Sequence, residues 1–117
     1  MTSENMFTYR EVALKFTQAL AAREYVKAHE MTVQEYRNRT SVELMRTSFE
    51  KIVPLDWGPI GPIEVGETMT SWRGKQPSDR IWAYVSVGGK VYSEAVIITV
   101  AIEDGVPKIR TVEFGRP

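Results

Sequence analysis

Apolar residues recur at every third or fourth position through the first half of the chain and at every second position through the second half. Tyr9, Val12, Ala13, Phe16 and Leu20 line one face of a helix. Thr8 and Glu11 have capping-box spacing and mark its start. "AARE" (21–24) reads as a short break, and a second helix follows over roughly 24–31. "TSVELMRTSFEKIV" (40–53) opens on a second capping box, Thr40 with Glu43. It carries Val42, Leu44, Met45, Phe49 and Ile52 or Val53 on its apolar face.

"PLDWGPIGP" (54–62) ends the helical half, since its three prolines and two glycines break helix. Residues 63–72, "IEVGETMTSW", predict a strand bent at Gly66. "RGKQPSD" (73–79) is a polar turn. "RIWAYVSV" (80–87) alternates Ile81, Ala83, Val85 and Val87 against Trp82, Tyr84 and Ser86. The pairs "GG" (88–89) and "DG" (104–105) signal hairpins on either side of a long strand, "KVYSEAVIITVAIE" (90–103). "PKIRTVEFG" (107–115) closes the sheet. Helices followed by a meander predict one α+β domain over 1–117, with three N-terminal helices packed on a four-stranded antiparallel sheet.

The long strand is apolar on both faces. Tyr92, Val96, Ile98, Val100 and Ile102 lie on one side and Val91, Ala95, Ile97 and Ala101 on the other. Three helices cover only one face, so the second predicts an apolar surface and a homodimer formed sheet against sheet.

Composition narrows the function. With 117 residues, 43% of them hydrophobic and 26% charged, the chain suits a single core. Fifteen basic residues balance fifteen acidic ones, which disfavours nucleic acid and anionic membrane as partners. No cysteine is present, so disulfides, thiol nucleophiles and cysteine zinc sites are excluded. "MTSENMFTYREV" lacks the basic and apolar regions of a signal peptide, and no apolar run approaches the ~20 residues of a membrane helix. The expectation is a soluble cytoplasmic protein.

"VALKFTQALAAREYVKAHEMT", "SVELMRTSFEKIV" and "WAYVSVGG…YSEAVIITVAIEDG…IRTVEFGRP" together resemble the nuclear-transport-factor-2-like (NTF2-like) superfamily with its cystatin-like cone. The resemblance spans nearly the whole chain and implies a curved sheet wrapped around the helices. Isomerases, dehydratases, polyketide cyclases, transport factors and immunity proteins share that fold, so it does not settle function. Enzymes of the superfamily place acids and bases inside the cone: an aspartate with a tyrosine and a protonated aspartate, histidines with an aspartate, or an Asp-Arg-Asp set. None of these sets maps onto this chain. Its aspartates are Asp56, Asp79 and Asp104, and each falls in a predicted loop or turn.

His29 is the one histidine, four residues from both Tyr25 and Val33 and hence on an apolar stripe. As a general base at the mouth of the cone it needs an orienting carboxylate. Glu30 is adjacent and points elsewhere, so Glu94, inside an otherwise apolar strand, is the best partner. Read structurally, His29 is a core residue, largely buried against the sheet, whose ring bonds a neutral group. Glu94 likewise reads as a solvent-facing carboxylate or a cross-strand partner of Arg80 or Arg110. The structural readings are preferred for both. Tyr25, His29, Trp57, Trp82 and Glu94 are the candidate pocket residues, and a lone histidine argues against a metal site. The expected function is a non-catalytic, self-associating domain without a cofactor, taking a small apolar ligand in its cone or a partner on its sheet. An isomerase- or dehydratase-like enzyme using His29 and Glu94, and an immunity or accessory module that binds protein, are the alternatives.

Overall fold

A computed structural model describes residues 6–89 and 93–115. Four helices precede four strands: α1 (Met6–Ala21), α2 (Tyr25–Glu30), α3 (Gln34–Arg39), α4 (Val42–Ile52), then β1 (Ile63–Met69), β2 (Asp79–Gly88), β3 (Ser93–Glu103) and β4 (Val106–Phe114). The strands form one antiparallel sheet in the order β1-β2-β3-β4. The α+β class and the meander therefore match the periodicity.

The helix count is four and not three. The added helix is α3, six residues long with Tyr36 its one buried side chain. One apolar residue in six generates no period to detect. Both capping boxes are also displaced. Thr8 lies inside α1. The cap of α4 is Ser41, one residue after Thr40, and its Oγ accepts from the Leu44 N–H at 3.0 Å.

Tyr9, Ala13, Phe16 and Leu20 of α1 pack with Tyr25, Met45 and Phe49 onto one face of the sheet, against Ile81, Ala83, Val85, Val87, Val96, Ile98, Val100 and Ile109. This layer is filled: Phe16, Phe49, Leu20, Met45, Ile81, Ile98 and Ile109 are wholly buried. The predicted bend is present. Gly66 and Glu67 stand opposite Tyr84 in a bulge between Val65 and Thr68. Two further bulges, at Arg80 on β2 and Arg110 on β4, flank β3 near Val100 and sharpen the curvature there.

The β3–β4 turn is the expected two-residue connection, with Asp104 and Gly105 at φ 53° and 77°. Positive φ at both positions suits the twist of a hairpin. Lys90, Val91 and Tyr92, which the sequence places at the start of β3, lie outside the described residues. After a 3-10 turn (Leu55–Trp57), the proline-rich linker zips onto the end of β2, where Gly61 and Gly88 N–H groups donate to the Gly88 and Pro62 carbonyls at 2.7 and 2.9 Å. A Cβ on Gly88 would sit 3.1 Å from Pro62, so a larger residue there would have to push the linker back by a few tenths of an ångström. Trp57 and Ile60 of the linker pack against the core cluster, on the helix side of the sheet.

On the other face, Ala95, Ile97, Thr99 and Ala101 of β3 are buried without joining the helix-side cluster. They are small or medium side chains flanked in register by Trp82, Tyr84 and Ser86 on β2 and by Thr111, Glu113 and Lys108 on β4. The central strand is thus apolar on both faces, as expected, but its outer row is shielded within the chain. What this face presents to a partner is mainly the flanking Trp82 and Tyr84.

Candidate functional site

His29, in the last turn of α2, is half-buried, and its Nε2 lies 2.6 Å from the Thr40 carbonyl oxygen. A carbonyl only accepts, so Nε2 carries the proton. The ring meets Tyr36 edge to face, with centroids 6.4 Å apart. The Thr40 N–H in turn donates to the Tyr36 carbonyl at 2.8 Å. His29 therefore fastens α2 to the α3–α4 junction through a neutral partner. It is less buried than expected, and the partners it holds belong to that junction.

Glu94 shares the helix side of β3 with Val96 and Ile98 but stands near the strand's start, opposite Val87. Ile98 pairs with Val112, which lines a groove with Thr40. Four strand residues, on the order of 13 Å, separate Glu94 from that level. The structure does not bring His29 and Glu94 together.

The other pocket candidates also disperse. Tyr25 is buried beneath the start of α2, where its hydroxyl donates to Glu50 Oε2 at 2.9 Å and accepts from Arg23 Nη1 at 3.2 Å. Arg23 also donates to the Val53 and Pro54 carbonyls at 3.0 and 3.3 Å, and its guanidinium lies 5.4 Å from the Phe49 ring centre. This network ties the α1–α2 turn to α4 and to the first proline of the linker. Trp57 packs against the core from the linker, and Trp82 lies on the outer face opposite Thr99. None of the five lines any of the three grooves described below.

Burial raises the pKa of Tyr25, opposed by the Arg23 hydrogen bond and reinforced by Glu50. Burial likewise raises that of Tyr36, against the Thr40 hydrogen bond and the Arg39 charge. Both shifts favour the neutral phenol in the folded state. Their contribution is complete below the ordinary value of 10.0 and is lost as pH rises through the raised folded value.

The buried charge that the sequence did not reveal is Asp79. Expected in a turn, it is the first residue of β2, with its side chain wholly buried. Its Oδ1 and Oδ2 accept from Arg110 Nε and Nη2 at 2.5 and 2.6 Å, and Oδ2 also accepts from the Gln76 N–H at 2.8 Å. The ion pair connects two bulged strands across β3 and satisfies both oxygens, which makes it a brace and not a free catalytic acid.

The surface grooves among the described residues include three. One of about 300 Å³ lies between α1 and β1, beside Phe7, Arg10, Leu14 and Ile63. One of about 260 Å³ adjoins Glu35, Gln76, Glu103 and Arg110. The third, about 330 Å³, runs between the α3–α4 junction and the edge of β4, lined among others by Tyr36, Arg39, Leu44, Ser48, Thr111 and Phe114. Neither His29 nor Glu94 lines any of the three. Among the described residues no group of three or more histidine, aspartate or glutamate side chains could hold a metal. No helix among them is long and apolar enough to cross a membrane. Comparison of the chain with protein-family models, with curated proteins and with solved structures finds no match.

His29→Ala should lower stability by roughly 1–2 kcal/mol, since it removes one hydrogen bond and part of a packed ring. Urea denaturation checks this, and an unchanged midpoint would show that the Thr40 contact contributes nothing.

Proposed function

We propose that the chain is an NTF2-like domain without catalytic activity that self-associates through the outer face of its sheet. The observation that carries this reading is the one-sided layering. The helices and the linker pack into a single cluster on one face, while the other presents Trp82 and Tyr84 around a row of alanine, isoleucine and threonine. The filled helix–sheet layer supports a surface role over a ligand held inside the cone. The distance between His29 and Glu94 weighs against an enzyme built on that pair.

The outer face also suits a second copy of itself. Glu64 and Glu113 stand toward its Ala95 end and Lys108 opposite Ala101 at the other. A twofold axis across the strands brings each Lys108 toward the glutamates of the other copy. Light scattering at micromolar concentration should give twice the chain mass of 13.3 kDa. Trp82→Glu should return the mass to that of one chain while the circular dichroism spectrum stays folded. A wild-type mass near 13.3 kDa rules the dimer out.

A further inference from the structure

The edge of β4 carries an opening that neither the core nor the outer face uses. The Gly115 N–H donates to the Ala95 carbonyl at 2.9 Å, and from there the register pairs Val96 with Phe114 and Ile98 with Val112. Hydrogen-bonded and non-hydrogen-bonded pairs alternate along an antiparallel ladder. Gly115 with Ala95 is a bonded pair, so Phe114 and Val112 belong to the other kind. Their N–H and C=O groups point away from β3, toward the free edge, where no backbone group of the described residues meets them.

At Ile109 the same edge is already taken. Its N–H donates to the Met31 carbonyl at 2.9 Å and its carbonyl accepts from Val33 at 2.8 Å, making a one-residue parallel bridge through Thr32. Beyond this bridge the edge faces the 330 Å³ groove, with Leu44 and Ser48 of α4 on the opposite wall. Leu44 is 51% exposed although apolar. Among the described residues Arg39 is the one charged residue lining the groove, and it makes no ion pair with another of them. Among the described residues the opening therefore combines unpaired strand backbone, apolar contact surface and one unneutralised cation, Arg39.

We propose that this groove binds the C-terminal end of an extended peptide, added to β4 as an antiparallel strand with its terminal carboxylate at Arg39. The segment Thr111–Phe114 spans roughly 10 Å, room for about three residues and shorter than an ordinary strand. A short groove with its cation at one end suits a chain terminus. The Thr40 carbonyl, next to Arg39, holds His29, two residues before the Met31 that bonds Ile109, whereas Phe49 of α4 meets Phe114 with ring centroids 6.4 Å apart. A peptide ending at Arg39 therefore runs opposite to β4. Backbone pairing supplies affinity with little sequence demand, and the carboxylate sets the register.

The test uses the full chain and a pool of pentapeptides randomised over the last three positions, without proline or cysteine. The pool is prepared once with free C-terminal carboxylates and once as C-terminal amides. In ¹⁵N-correlated spectra the carboxylate pool should shift the Val112 and Phe114 amide signals saturably. Amidation should weaken binding about tenfold, the scale of one charge-assisted contact. Arg39→Gln should weaken the carboxylate pool equally and abolish discrimination between the pools. Arg39 is exposed and its side chain makes no hydrogen bond among the described residues, so that variant remains folded. Three results overturn the proposal: no saturable shifts at millimolar peptide, shifts centred away from β4, or equal binding of the two pools.

Discussion

Asp79→Ala should lower the unfolding free energy by about 3 kcal/mol, the lower end of the range for breaking a buried ion pair from one side. The carboxylate is wholly buried, whereas the Arg110 side chain keeps 18% of its surface exposed. Water can therefore recover part of the arginine's solvation but none of the carboxylate's former contacts. Truncation leaves two guanidinium donors and the Gln76 N–H without their acceptor. Replacing both partners, Asp79→Leu with Arg110→Met, should restore most of the loss, because the unpaired charge is what destabilises. Urea titrations of the two single variants and the double variant measure this as a cycle. A loss below about 1 kcal/mol in Asp79→Ala would show that the pair does not brace the bulged strands.

Asp79 also shows where legibility in the sequence stops. "QPSD" has the composition of a turn, and an aspartate after proline and serine reads as its last residue. What buries it is Arg110, thirty-one residues further on, placed by a bulge that no local pattern announces. The elements with strong periods are legible for the converse reason. Ile81, Ala83, Val85 and Val87 alternate because each fills the same core face, so two-residue spacing and burial are one fact. The Asp104–Gly105 turn is legible because its backbone angles favour those residue types.

The candidate site follows the same division. Spacing places His29 on a packed helix face, and its ring does meet a neutral hydrogen-bond partner. That the partner is the Thr40 carbonyl depends on α3, a helix too short and too polar to be read in advance. Alternation places Glu94 inside a strand, but it gives a face and not a distance, and the separation from His29 emerges only with the register. The β4-edge groove has no sequence signal at all. Tyr36, Leu44 and Phe114 converge there from three elements.

Phe49→Ala should be more damaging still than Asp79→Ala, at about 4–5 kcal/mol. The side chain is wholly buried, and truncation leaves a cavity whose walls belong to separate elements and cannot all collapse inward. Phe49 meets Tyr25 at 6.4 Å and 61° and Phe114 at 6.4 Å and 67°, so two edge-to-face contacts go with it. The Arg23 guanidinium also loses the ring beneath it, 5.4 Å away, while still having to hold the Val53 and Pro54 carbonyls. One residue thus joins α4, the α1–α2 turn and the last strand. Domains of this size have about 5–15 kcal/mol in total, so the variant should be partly unfolded at physiological temperature. Leu44→Ala on the same helix supplies the contrast. Leu44 is 51% exposed, and its loss should cost less than about 1 kcal/mol. Thermal unfolding compares the two, with roughly 4 °C expected per kcal/mol. Similar melting temperatures for the two variants would mean that Phe49 does not hold these elements together.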